Sequence, residues 1–212
     1  MNKVNTKKGF TLIELLIVIG ILAILATVTL LVLNPAQMFA QARDSQRISD
    51  LNTIKSAIAL YTSTVTTPYL SDTAGTNCAT KIWGTIGTSS PSSGTIIATR
   101  VFADTNKTAF IGSPATTTVG INGWVPVALA DTAGGSPISS LPLDPTSPSA
   151  TTFSNTNATY AYFYTCSTTG LVFELNATLE STRYSNGGTD DKESSDGGDR
   201  TWLYETGSAL NL

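Results

Sequence analysis

The chain has 212 residues, 41 % of them apolar and only 13 % charged, with 12 basic and 15 acidic side chains and a net charge of −3. That length suits one or two domains, and the charged share is about half the usual one. Histidine is absent, which removes the commonest metal ligand and general base together, and the two cysteines form no CxxC pair, so zinc and thiol catalysis are poor readings.

In chain order, the first element is an oily run. Phe10 to Leu33 is 24 residues with one charge, Glu14, and Lys3, Lys7 and Lys8 stand in front of it. As a helix it spans about 36 Å at 1.5 Å per residue, enough to cross a bilayer core of about 30 Å. Lysines before the run and none just after place the short N-terminus in the cytoplasm and the bulk of the chain outside. A secretory signal core would be shorter, about 7–15 residues, and the nearest small-x-small triplet, Ala40-Gln41-Ala42, lies past the end of the run. A plain single-pass anchor explains the lysines and the oily residues, but neither Gly9 nor Glu14.

Glu14 has two readings. Thr11-x-x-Glu14 has capping-box spacing, and a carboxylate suits the positive start of a helix. Alternatively the chain is cut after Gly9, and Phe10 then carries a new ammonium. A carboxylate held in the membrane costs about 2–3 kcal/mol or more and wants a partner. The N-terminal ammonium of a neighbouring copy would neutralise it and fix the stagger between adjacent helices.

The stretch KKGFTLIELLIVIGILAIL closely resembles the class III signal of type IV pilins and pseudopilins. The resemblance, strong over about Lys7 to Tyr61, implies a leader, residues 1–9, that a membrane prepilin peptidase removes between Gly9 and Phe10. It implies that Phe10 is then N-methylated and that Glu14 pairs with a neighbouring N-terminus. It further implies a polymerisation helix at 10–33 that is transmembrane before assembly. Asn34-Pro35 interrupts the run, where proline removes a helical hydrogen bond and a kink or local melting is expected. The family commonly has a proline at this depth, linked to melting on assembly, and that role falls on Pro35.

Residues 34–62 continue as an amphipathic helix. Ile48, Leu51, Ile54, Ile58 and Tyr61 recur at three- and four-residue steps, one apolar stripe. Arg43, Asp44, Arg47 and Asp50 form a mixed-sign cluster below it, read as a solvated face or, in a filament, as bridges between subunits. The whole helix to about Thr62 would be about 80 Å long.

Residues 63–212 are rich in Thr, Ser and Gly and read as an extracellular head large enough for one modest core. A long irregular connection carries a short strand or helix near Lys81 to Ile86. Strand-like runs follow: TIIATRVFA, WVPVALA, TYAYFYTC, LVFELNATL and TWLYET, with CSTTGLVF as a hairpin loop and SLPLDPTSP as a turn-rich connector. The fold class expected is α+β, a long N-terminal helix packed on a C-terminal antiparallel sheet with irregular loops. For Cys78 and Cys166, 88 positions apart, one disulfide in an oxidising compartment is favoured over two buried thiols.

Five acids crowd one stretch: Asp190, Asp191, Glu193, Asp196 and Asp199. GGSPISSLPLDP, a Tyr-rich strand, LNATLES and then this acidic loop resemble pilins close to the major pseudopilins, in which such a loop holds calcium. That resemblance makes Asp190, Asp191, Asp196 and Asp199 candidate calcium ligands, against a solvated acidic loop. The EF-hand pattern is not present. No other cofactor is required.

Leaving out the three leading lysines, nine basic side chains face fifteen acidic ones, a net of −6, so nucleic acid is not an expected partner. The expected partners are further copies of the chain in a helical filament, the prepilin peptidase, the membrane pilus-assembly machinery and, before assembly, the membrane. The leading function is a structural pilus subunit, the main pilin, with adhesion, motility or DNA uptake as the class of roles and no catalysis. The alternatives are a pseudopilin of a type II secretion or competence system and, behind it, a membrane-tethered extracellular binding protein.

Overall fold

The computed structural model describes residues 9–71, 76–86, 107, 109–112, 116–146 and 160–212. The chain divides into two compact units, Met1–Phe39 and Ala40–Leu212.

The first unit holds helix α1, Leu12–Leu33. Thr11 caps it in an extended conformation, and Thr11 and Glu14 complete a capping box. Leu, Ile, Val and Ala dominate α1, which is apolar on every side and is the start of the one described helical stretch long and apolar enough to cross a membrane. Two threonines inside it return their hydroxyls to the backbone, Thr27 to Ala23 O at 2.8 Å and Thr29 to Ala26 O at 2.9 Å. The helix stops at Asn34, which adopts the left-handed conformation with φ 37° that asparagine tolerates at helix ends. Pro35 then opens helix α2, Pro35–Thr64, at the first helical position, where its missing N–H leaves nothing unsatisfied. The interruption expected at Asn34-Pro35 is there.

In the second unit the rest of α2 lies against a five-stranded sheet. Its strands are β1 Lys81–Gly84, β2 Ala109–Gly112, β3 Tyr162–Cys166, β4 Phe173–Ala177 and β5 Tyr204–Gly207, in the order β2-β1-β3-β4-β5. β1, β3, β4 and β5 are antiparallel neighbours, so the fold is α+β as expected. β2 joins the edge parallel to β1. Gly170 and Leu171, both at positive φ, turn the β3–β4 hairpin, which Ser167 N closes onto Val172 O at 2.9 Å.

The apolar stripe faces the sheet. Leu51, Ile54, Ala57, Ile58 and Tyr61 of α2 join Tyr162, Tyr164 and Cys166 of β3 and Phe173, Leu175 and Ala177 of β4 in one buried core. Burying each large side chain contributes about 1.5–3 kcal/mol. Polar bonds fix the helix over the strands: Tyr162 OH donates to Asp50 at 2.8 Å, and Lys55 Nζ donates to Thr206 Oγ1 at 3.2 Å.

Three of the strand-like runs are strands β3, β4 and β5, and a short strand lies at Lys81–Gly84. TIIATRVFA, 95–103, lies outside the described residues. WVPVALA is not a strand. Trp124, Val125, Val127 and Leu129 are buried there, but the backbone runs irregularly into a short 3-10 turn, Leu129–Asp131. Pro126 has no N–H for a ladder, and irregular backbone buries the same side chains without one.

Candidate functional site

At the N-terminal motif, Gly9 and Phe10 precede the helix, both exposed, with Phe10 at 86 %. Glu14 is held by its cap: Oε2 accepts Thr11 N and Thr11 Oγ1, both at 2.8 Å, while Glu14 N donates to Thr11 Oγ1 at 3.3 Å. Both cap bonds fall on the same carboxylate oxygen, so the cap and a second donor on Oε1 are compatible. Capping and pairing are therefore not rival roles for this side chain.

In the charged cluster of α2, Asp44 and Arg47 do not lie on a solvated face, while Arg43 and Asp50 are part-exposed. Asp44 and Arg47 are fully buried. Arg47 takes Asp144 in a two-point grip, Nε to Oδ2 at 2.7 Å and Nη2 to Oδ1 at 3.1 Å. It also donates to Asp44 Oδ1 at 2.8 Å and Thr146 Oγ1 at 2.7 Å. Asp44 in turn accepts the backbone N–H groups of Glu180 at 2.8 Å and Ser181 at 2.7 Å. Arg43 Nε reaches Glu180 Oε2 at 2.8 Å. Burial works against the Arg47 charge, but Asp144 and Asp44 hold it protonated more firmly than usual. The helix is thereby pinned to the SLPLDP connector and to the segment after β4.

The cysteines are joined, Cys78 to Cys166, tying the 3-10 turn Thr76–Ala79 to the end of β3. Buried Lys107 donates to the carbonyl oxygens of both, reaching Cys166 O at 2.8 Å.

The four aspartates proposed as calcium ligands serve separate local tasks. Asp190 pairs with Lys192 Nζ at 2.8 Å and Arg183 Nη2 at 3.5 Å. Asp191 accepts Ser194 Oγ, Ser194 N, Gly187 N and Glu193 N at 2.6–3.0 Å; the Ser194 hydroxyl, then these amides, lower its pKa to about 2. Asp196 accepts Gly198 N and Glu205 N, and Asp199 lies 3.7 Å from Arg200 Nε. Among the described residues no group of three or more His, Cys, Asp or Glu side chains is gathered to hold a metal ion.

Sequence reasoning missed the buried Arg47 lock and two buried glutamates, Glu174 and Glu205. The first had a signal: positions 44, 47, 51, 54, 58 and 61 continue the stripe's three- and four-residue steps without a break. The second had none: an acid alternating with apolar residues along a strand reads as solvent-facing, and it is the C-terminal segment laid over that face that buries it.

Residues 4–30 match the family described as the prokaryotic N-terminal methylation motif, the class III signal of type IV pilins and pseudopilins. No curated protein and no solved structure matches the chain. The motif and the apolar helix that carries it fit a membrane-anchored precursor that is later extracellular. The motif supports a type IV pilin-like or pseudopilin protein, implies prepilin-peptidase processing and pilus or secretion assembly, and points to a structural rather than a catalytic part.

Proposed function

We propose that the chain is the main structural subunit of a type IV pilus-like filament. One observation carries this reading: an all-round apolar, exposed helix whose only charged side chain, Glu14, stands one turn inside a Gly9-Phe10 junction. A helix apolar on every side must be buried in lipid or among other helices. Exchange of lipid for neighbouring copies loses little hydrophobic free energy, so extraction from the membrane is thermodynamically cheap.

The precursor crosses the inner membrane with residues 1–9 in the cytoplasm. The peptidase cuts between Gly9 and Phe10 and methylates Phe10. In the filament Glu14 takes the ammonium of an adjoining subunit while keeping its Thr11 cap. Residues 10–33 form the filament core, and Asn34-Pro35 is where the helix melts on assembly. Residues 34–62 carry the head, 63–212, to the surface, where its Thr and Ser side chains serve adhesion. No catalytic role is assigned.

The test is mass spectrometry and electron microscopy of filaments sheared from cells. The expected subunit begins at N-methylated Phe10. A Glu14→Ala precursor is processed and stays membrane-bound yet yields few filaments; normal filament number from that variant rejects the role given to Glu14. A chain confined to a short periplasmic assembly, with cells that secrete poorly without it, points instead to the pseudopilin reading.

A further inference from the structure

On β4, Glu174 and Asn176 alternate with the core residues Phe173, Leu175 and Ala177, so they occupy the face of the sheet away from the core. Glu205 of β5 stands opposite Asn176 in the register. Glu174 is 0 % and Glu205 2 % exposed, and as diagonal neighbours on one face of the sheet their carboxyl groups act on each other.

Each carboxyl also holds down a piece of the C-terminal segment. Glu174 Oε1 accepts Asn176 Nδ2 and Oε2 accepts Leu212 N, both at 2.8 Å. Glu205 Oε2 accepts Arg200 N at 2.8 Å, and Glu205 N donates to Asp196 Oδ2 at 2.6 Å. The loop presses closely, for a Cβ on Gly198 would stand 1.9 Å from Glu205 Oε2. Oε1 of Glu205 is buried and accepts no donor.

The surrounding charges do not neutralise the pair. Asp196 and Asp199 add negative charge from the covering loop, Asp196 acting on Glu205 and Asp199 on Glu174. Arg200, the cation of that loop, turns its guanidinium to Asp199 and to the Trp202 ring at 5.6 Å. From β3, the residue opposite Glu174 is the uncharged Thr165. Two bare carboxylates in dry contact would each bear an unpaired burial cost of several kcal/mol plus mutual repulsion. One proton between them removes one charge, supplies the missing donor and turns repulsion into a charge-assisted hydrogen bond.

We propose that Glu174 and Glu205 share one proton, and that this carboxyl pair is a pH-sensitive latch fastening residues 196–212 over the face of β4 and β5 away from the core. Burial, then the partner carboxylate, favours retention of the proton well above the ordinary carboxylate range. Loss of the proton frees the two backbone anchors, Arg200 N and Leu212 N, together. The latch is independent of the assembly proposed above.

The test is amide hydrogen exchange of the full chain in detergent micelles between pH 5 and pH 9, corrected for intrinsic exchange. Protection of the Arg200 and Leu212 amides should fall by up to about tenfold per pH unit within the titration window, while the core strands keep theirs. Glu205→Gln, which donates permanently to Glu174, should hold protection level across the range. Equal loss in that variant overturns the latch. So does protection at pH 9 that millimolar calcium restores and a chelator abolishes, because a cation then occupies the pair. Carboxyl carbon NMR of the unmodified chain gives a readout that does not depend on the variant's folding: both glutamates titrating below about pH 5 overturns the proposal.

Discussion

Arg47 is the side chain that ties three separate segments of the second unit together. It joins one turn of α2 to Asp144 and Thr146 of the connector and, through Asp44, to the backbone at Glu180 and Ser181. Cutting it to alanine leaves two buried carboxylates without their cation, so Arg47→Ala should lower stability by about 3–5 kcal/mol in urea melts. Replacing Arg47, Asp44 and Asp144 together by apolar residues of similar volume should cost less than the single change, although Asp44's two backbone donors then go unpaired. Equal losses would mean that the guanidinium matters for its packing rather than its charge. Gly198 is a second sensitive position. A methyl group there must displace the Glu205 carboxylate, and Gly198→Ala should cost about 1–3 kcal/mol. It should also raise exchange at Arg200 before any other change appears.

At the level of elements, what could be read beforehand followed from how continuous each pattern is. The apolar run and the amphipathic stripe are long and periodic, and both helices are where the residues place them. β3, β4 and β5 sit inside runs bounded by turn residues. β2 is four residues, Ala-Phe-Ile-Gly, in a Thr-rich region, too short to alternate visibly, and its parallel partner precedes it by 28 positions, so nothing local marks it. The charged cluster was misjudged because charge was weighed ahead of position: Asp44 and Arg47 extend the stripe, and the stripe is buried. The disulfide is the covalent tie among these elements. It closes a loop of 88 residues, for which the chain-entropy argument gives about 4–5 kcal/mol of stabilisation. Cys78→Ser with Cys166→Ser should lower stability by about 2–5 kcal/mol, read as a shift in the urea midpoint. A shift near zero would mean that Lys107, bridging both cysteine carbonyls, holds the turn to β3 unaided.

For the whole molecule, two sets of carboxylates set opposite limits on pH stability. Glu180, held by Arg43, and Asp191, held by Ser194 and the amides around it, have pKa values below the ordinary range. Their contribution is complete above the unfolded-state value and is lost as pH falls through the folded one, toward about 2 for Asp191. Glu205, Glu174, Glu193 and Asp50 are displaced the other way, each chiefly by burial. The folded chain holds their protons more tightly than the unfolded chain does. Their contribution is complete below the unfolded value, 4.5 for the glutamates and 3.8 for Asp50, and is lost as pH rises, through about 8 for Glu205. The two limits leave a maximum near pH 4–5, more acidic than the usual optimum of about pH 5–8. The melting temperature of the full chain should therefore fall on either side of that maximum. Because Glu205, Glu174 and Glu193 are buried, whereas Glu180 and Asp191 are part-exposed and partly screened by solvent, the alkaline fall should be the steeper. Glu205→Gln should flatten the alkaline side and leave the acid side unchanged. A melting temperature that climbs from pH 5 to pH 8 in the unmodified chain would show that these four carboxyls ionise freely in the folded state, and that whatever neutralises the far face of the sheet is not a proton.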